Sequence, residues 1–156
     1  TFQCRNYVTD NEFRTSNIQP ITPGDLEELV QLDTALFGAE RRKLFQVLLN
    51  LYPGRAFMHR DAQGQMTGYI FAQENRIGPW AMMQSDSAEA LLQAALSLPY
   101  KDTVSVYVPA ENREALELVQ RYGFEQLRVS QHMGLHAECI PGQRRKIFAQ
   151  TSLAAG

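Results

Sequence analysis

The spacing of apolar residues changes period several times along the chain, and each change marks an element. Residues 1–17 alternate polar and apolar positions without a strong period. This predicts a linker or a ragged N-terminal strand over 1–15, leading into a domain over 16–156. A short strand over 18–21 ends at Thr22-Pro23, an N-cap followed by proline at the first helical position. Leu26, Leu29, Val30, Leu32, Asp33 and Leu36 then recur at helical spacing, and Gly38 supplies the stop. A second helix over 40–52 turns Leu44, Phe45, Leu48 and Leu49 inward and ends before Pro53.

From residue 55 the period becomes two. Strands over 55–61 and 65–75 form a hairpin with Gly64 in its turn. A third strand over 76–83 carries Gly78-Pro79, which predicts a bulge or a break in its ladder because proline has no N–H to donate. A helix over 85–99, a buried strand over 103–110, a helix over 112–122 and strands over 124–134 and 144–154 follow. The order β-α-α-β-β-β-α-β-α-β-β predicts an α/β fold. An antiparallel meander precedes a parallel, right-handed β-α-β crossover, giving one mixed central sheet with helices on both faces.

Composition narrows the function classes. The 156 residues are 44% hydrophobic and 21% charged, which is ordinary for one soluble domain. A net charge of −2 argues against nucleic acid as a partner, and the basic run "QRRK" at 143–146 reads as a solvated strand start. Cys4 and Cys139 belong to no metal-ligand spacing. His132, His136 and Cys139 in "HMGLHAEC" straddle a strand end with Gly134 inside rather than one helical face, so no metal is expected. With no signal peptide and no apolar run near eighteen residues, no membrane partner is expected and a reducing cytoplasm is the default.

The stretch "ENREALELVQRYGFEQ" carries the most specific signal. Asn112 is a natural N-cap, Gly123 suits a C′ position with positive φ, and Phe124 re-enters the core. Together with Ala115 and Leu118, and with the full element order, these residues resemble the GNAT N-acetyltransferase superfamily over nearly all of 16–150. "LDTALFGAERRKL", "GYIFAQENRIGPWA", "YVPAENREAL", "HMG" and the closing "FAQTSLAAG" look like the C-terminal domain of bacterial tandem-GNAT proteins. A chain that starts at Thr1 with a linker-like segment fits an excised second domain. It also fits a mature chain lacking a few residues.

The resemblance implies acetyl-CoA as co-substrate, its pantetheine wedged between two splayed parallel strands and its pyrophosphate on the following helix N-terminus. Carried onto this chain, the cofactor positions are Ala81, Met82, Met83, Ser85, Asp86, Ser87, Ala88 and Asn112. The family's Gln/Arg-x-x-Gly-x-Gly/Ala loop falls on 83–88, where only Ala88 matches and Asp86 sets a carboxylate toward an anion. Ser85 or Asp86 also reads as a plain helix cap. Many family members place a Tyr after the Leu corresponding to Leu118, to protonate the departing thiolate. Here the residue is Val119, and Tyr122 lies about one turn later. Glu74 and Glu111, near strand ends, are the candidates for a general base, and Trp80 and Tyr107 for acceptor-pocket walls.

The expected function is acetyl-CoA-dependent N-acetyl transfer to a small-molecule amine or amino-acid-like acceptor. The alternative is a catalytically weak GNAT-like binding or structural domain, partnering an N-terminal GNAT domain or forming a homodimer. The degraded loop and Val119 favour the alternative for this domain.

Overall fold

A computed structural model describes residues 1–4, 17–130 and 142–152. The meander is formed by β2 (Ile18–Pro20), β3 (Ala56–Arg60), β4 (Met66–Ala72) and β5 (Arg76–Met82), each antiparallel to the next. Between β2 and β3 lie α1 (Leu26–Phe37) and α2 (Arg42–Leu51). Beyond β5 come α3 (Ala88–Leu96), β6 (Val104–Val106), α4 (Arg113–Arg121) and β7 (Glu125–Gln126). Two more strands, β1 (Phe2–Cys4) and β8 (Ile147–Ala149), stand at the two ends of the described chain. All belong to one sheet in the order β2-β3-β4-β5-β6-β1-β7, with β8 paired to β5 off that path.

Local chemistry explains the boundaries. Asp25 accepts both the N–H and the hydroxyl of Thr22 at 2.8 and 2.7 Å, fixing the turn that leads into α1. Gly38 closes α1 at φ 88°, its N–H returning to the Thr34 carbonyl. Asn112 caps α4 by accepting the Ala115 N–H at 2.9 Å, and Gly123 (φ 80°) ends the helix so that Phe124 turns into the core. The sheet separates two apolar layers, as its buried faces require. One layer holds Trp80, Leu91, Leu92, Leu118 and Phe148 beneath α3 and α4. The other holds Leu29, Leu36, Phe45, Tyr69 and Phe71 beneath α1 and α2.

The crossover is parallel as expected. β5 pairs with β6 only at Arg76–Ser105 and Ile77–Val106. The predicted bulge lies just beyond: from the Ala72–Ile77 pair to the Ile70–Trp80 pair, β4 advances two residues and β5 three. The extra residue at Gly78-Pro79, whose peptide bond is cis, turns β5 away from β6.

Several strands are shorter than the alternation suggests. The one expected over 103–110 covers Val104–Val106, because the chain leaves β5 there and Pro109 lacks a donor. Of the strand expected over 124–134, Glu125–Gln126 forms, 127–130 is irregular, and the remainder falls outside the described residues. The basic run at 143–146 is not a strand start; Arg144–Lys146 makes a 3-10 turn ahead of β8. The N-terminal strand sits inside the sheet, antiparallel to both β6 and β7.

Candidate functional site: a splayed cleft and the strand within it

Past Ile77 and Val106 the two parallel strands diverge, opening a V toward their C-terminal ends. The V is filled by the chain itself. On the β6 side of β5, β8 runs antiparallel, with Ala149 opposite Trp80 and Ile147 opposite Ala81. On the other side the Gln150 N–H donates to the Tyr107 carbonyl at 2.9 Å, just beyond the end of β6. The backbone edge that β5 exposes by leaving β6 is therefore satisfied by β8, as buried amides demand.

The side chains of β8 serve both layers. Ile147 joins the α1/α2 core, and Phe148 joins the α3/α4 core with its ring 4.8 Å from that of Trp80. Residues 147–149 are each at most 2% exposed. Upstream, Gln143 donates from its backbone and side chain to the Leu36 and Ala35 carbonyls at the end of α1. Downstream, the Thr151 carbonyl accepts from Gln73 (3.2 Å) and Arg76 (3.3 Å), and its hydroxyl accepts from Arg41 at 3.3 Å. Gly78 makes this passage sterically open. A Cβ there would lie 2.3 Å from the Gln150 carbonyl oxygen, and its φ of 137° disfavours any side chain.

Of the predicted cofactor positions, Ala81 pairs with β8 and Asn112 bonds it. Ala81 and Met82 are buried within β5, while Met83 is 40% exposed with its N–H given to the Thr67 carbonyl. Ser85–Ser87 form a 3-10 turn leading into α3, and the Ala88 N–H donates back to Ser85. Neither Ser85 nor Asp86 makes a side-chain cap; none is seen at the start of α3. This turn borders a pocket of 210 Å³ lined also by Glu89, Glu114, Glu117, Arg121 and Phe148. Four carboxylates surround it, and Arg121 is drawn 3.5 Å from Glu89. An anion placed there meets net negative charge despite the helix N-terminus. The Asn112 amide is committed too, its Nδ2 donating to the Ile147 carbonyl at 3.0 Å while Oδ1 caps α4.

The candidate catalytic residues do not converge. Glu74 lies at the closed end of the V and pairs with exposed Lys101, which holds its carboxyl below the usual range through a direct hydrogen bond. Glu111 lies past the open end of β6, beside Arg113 and Arg145. Tyr122 donates to Glu89 at 2.9 Å and accepts from Gln93 at 2.7 Å, bridging α4 to α3. Burial first, then the bond to Glu89, raises its phenol pKa above 10.0, which weakens it as a proton donor. Val119 is fully buried. Trp80 is a core residue stacked on Phe148, and Tyr107 lies 4.9 Å beneath the Arg76 guanidinium.

Sequence reasoning missed a buried polar cluster. Asp33, fully buried on α1, accepts a bidentate pair from Arg41 (2.7 and 2.9 Å) and the Tyr69 hydroxyl at 2.5 Å. Arg41 also stacks 3.6 Å over the Phe37 ring. The available signal was an aspartate on the apolar stripe of α1, with "FGAER" delivering an arginine just after the stop. The "HMGLHAEC" stretch lies outside the described residues. Among the described residues no group of three His, Cys, Asp or Glu side chains is placed to hold a metal, and no helix is long and apolar enough to cross a membrane.

The family model described as "Acetyltransferase (GNAT) domain" matches residues 29–149. The chain belongs to the GNAT acetyltransferase family. No curated protein matches it. Among solved structures, the GNAT fold is shared with the "Putative Acetyltransferase" of Pyrococcus horikoshii at a TM-score of 0.71 and 16% identity. That match covers 99% of this chain but 51% of the other, so this chain spans about half of that protein's length. Ard1 of Thermoplasma volcanium matches at 0.58 and 22% identity, over 71% of this chain and 83% of its own. The aminoglycoside 6'-N-acetyltransferase AAC(6')-Ih of Acinetobacter baumannii matches at 0.54 and 12%, over 78% and 98%. At these identities the likenesses carry the fold alone.

GNAT domains in general use acetyl-CoA, yet the residues here do not fit it. The β5 edge is bonded to β8, the Asn112 amide is spent on β8 and α4, and the turn at Ser85–Ser87 faces carboxylates.

Proposed function

We propose that this GNAT domain is the non-catalytic, structural member of an acetyl-CoA-dependent N-acetyltransferase acting on a small amine or amino-acid-like acceptor. It partners a GNAT domain N-terminal to it, or a second copy, in the cytoplasm. The observation that carries this reading is β8 inside the splay of β5 and β6, held by backbone ladders and by core packing on both faces. Displacing it would expose Ile147, Phe148 and Ala149, at about 25 cal/mol for each Å² of apolar surface returned to water. Buried Val119 supports the reading further. A general acid is typically worth ~10²–10⁴-fold in rate, and this position has no proton to give.

The test is turnover. Incubated with a panel of primary amines and amino acids at high acetyl-CoA, the chain alone should release no coenzyme A thiol above the uncatalysed background. Brisk release with any acceptor would instead establish the domain as an independent acetyltransferase.

A further inference from the structure

The strand between β6 and β7 comes from the other end of the described chain. In β1, Phe2 stands opposite Val106 on one side and Gln126 on the other. Phe2 and Cys4 are 3% and 5% exposed and belong to the same apolar layer as Leu118 and Phe124. Whichever copy supplies them, this position has to be filled. An empty one would strip the facing edges of β6 and β7 of backbone partners and leave a cavity in that layer.

The connection from β1 to β2 is short for its task. The ladder pairings run β1 and β2 in the same direction, five strand spacings apart, which is roughly 24 Å. Cys4 lies level with the residue before Arg76, whereas Ile18 lies level with Met82 through His59 and Gly68. That offset is about 20 Å along the strands. Helices pack on both faces of the sheet, and passing over a helix adds about 10 Å on the way out and again on the way back. The fourteen links from Cys4 to Ile18 extend to at most about 50 Å. A crossing within one copy takes up nearly all of that reach.

Resting on the reading that this domain works beside a second copy, we infer that β1 is exchanged between copies, so that Phe2–Cys4 of each chain completes the sheet of the other. The exchanged strand keeps every contact it makes in the sheet, and the chain no longer has to cross its own helices. Short connections under strain favour swapping of this kind, and reciprocal exchange closes a two-fold dimer.

Gln3 and Ser105 let the exchange be read directly. Ser105 gives its N–H to the Asn75 carbonyl, away from β1, so its pair with Gln3 is the close, non-hydrogen-bonded kind. The two side chains already meet at 3.2 Å, and cysteines at both positions lie within disulfide reach. Gln3→Cys with Ser105→Cys is oxidised in the full chain, with Cys4→Ala and Cys139→Ala removing the native thiols. Denaturing electrophoresis without reductant should show a two-chain band that reduction converts to one chain. Light scattering of the unmodified chain should give twice the 17.7 kDa of a single copy. Inserting about ten Gly/Ser residues between positions 10 and 11 lets the strand cross within one copy, and should lower that mass toward one chain at the same concentration.

A single-chain mass for the unmodified protein would overturn the exchange, whatever the cysteine variant does. A dimer whose oxidised cysteines join positions 3 and 105 of one chain, or join nothing, would overturn it as well. So would a dimer indifferent to the longer connection. Acetyl transfer by the unmodified chain is a separate outcome: it would overturn the non-catalytic reading and leave the disulfide result standing.

Discussion

Replacing Arg41 by methionine probes the polar cluster that joins α1, β4 and the closing segment. The Arg41 side chain is 9% exposed, and that of its partner Asp33 is wholly buried. Removing it leaves Asp33 with the Tyr69 hydroxyl but without its counter-ion. Breaking one side of a buried pair typically costs about 3–5 kcal/mol. Losing the stack on Phe37 adds about 0.5–2 kcal/mol. Against a total near 5–15 kcal/mol for a domain this size, Arg41→Met should come close to unfolding the chain. The partner substitutions sharpen the argument. Asp33→Leu with Arg41→Met removes both charges but orphans the Tyr69 hydroxyl, worth about 1–3 kcal/mol. Adding Tyr69→Phe removes that orphan, so the triple variant should be the most stable of the three. Urea unfolding followed by Trp80 fluorescence gives the order. An Arg41→Met penalty under about 1 kcal/mol, or a triple variant no better than the single one, would refute the buried-pair account.

Two further outcomes follow from the same structure. Gly78→Ala places a Cβ 2.3 Å from the Gln150 carbonyl at a φ of 137°, so it should destabilise the chain by more than about 1 kcal/mol and speed Gln150 exchange more than Ala72 exchange. His59, bonded to Thr67 at 2.6 Å, has its pKa lowered from 6.5 by burial, against the opposing pull of Asp61. Its contribution is therefore complete above pH 6.5 and is lost as pH falls through the lower folded value. Denaturation profiles of His59→Gln should be flatter than the parent's below pH 6.5.

Much of the fold was legible because local rules and the global answer agree. The Gly38 stop, the Asn112 cap and the Gly123 exit each occupy the position that helix-end chemistry requires. Gly78-Pro79 marked the splay, since an extra residue on β5 is what parts it from β6. What periodicity does not encode is which distant strand fills an opened edge. "KIFAQTS" reads as a buried strand wherever it pairs, so its place between β5 and β6 rather than at the sheet's end was invisible. The same holds for Phe2–Cys4, a three-residue strand that takes an interior position beside β6. Asp33 was read as one more member of an apolar stripe, because its partner arrives eight residues later from beyond the helix. The site residues inherited that gap. Asn112 was recognisable as a cap, but its second bond, to Ile147, depends on β8.

Calorimetric titration of acetyl-CoA into the unmodified chain tests the central claim most directly, because a cofactor seated as the family resemblance implies would need the edge of β5 that β8 occupies. With the groove filled and four carboxylates around the pocket at the Ser85–Ser87 turn, no saturable heat should appear up to about 1 mM ligand, and the Gln150 amide should stay protected throughout. One-to-one binding with a Kd near 10 µM or tighter, accompanied by loss of that protection, would show that the cofactor displaces β8 unaided and would contradict the account.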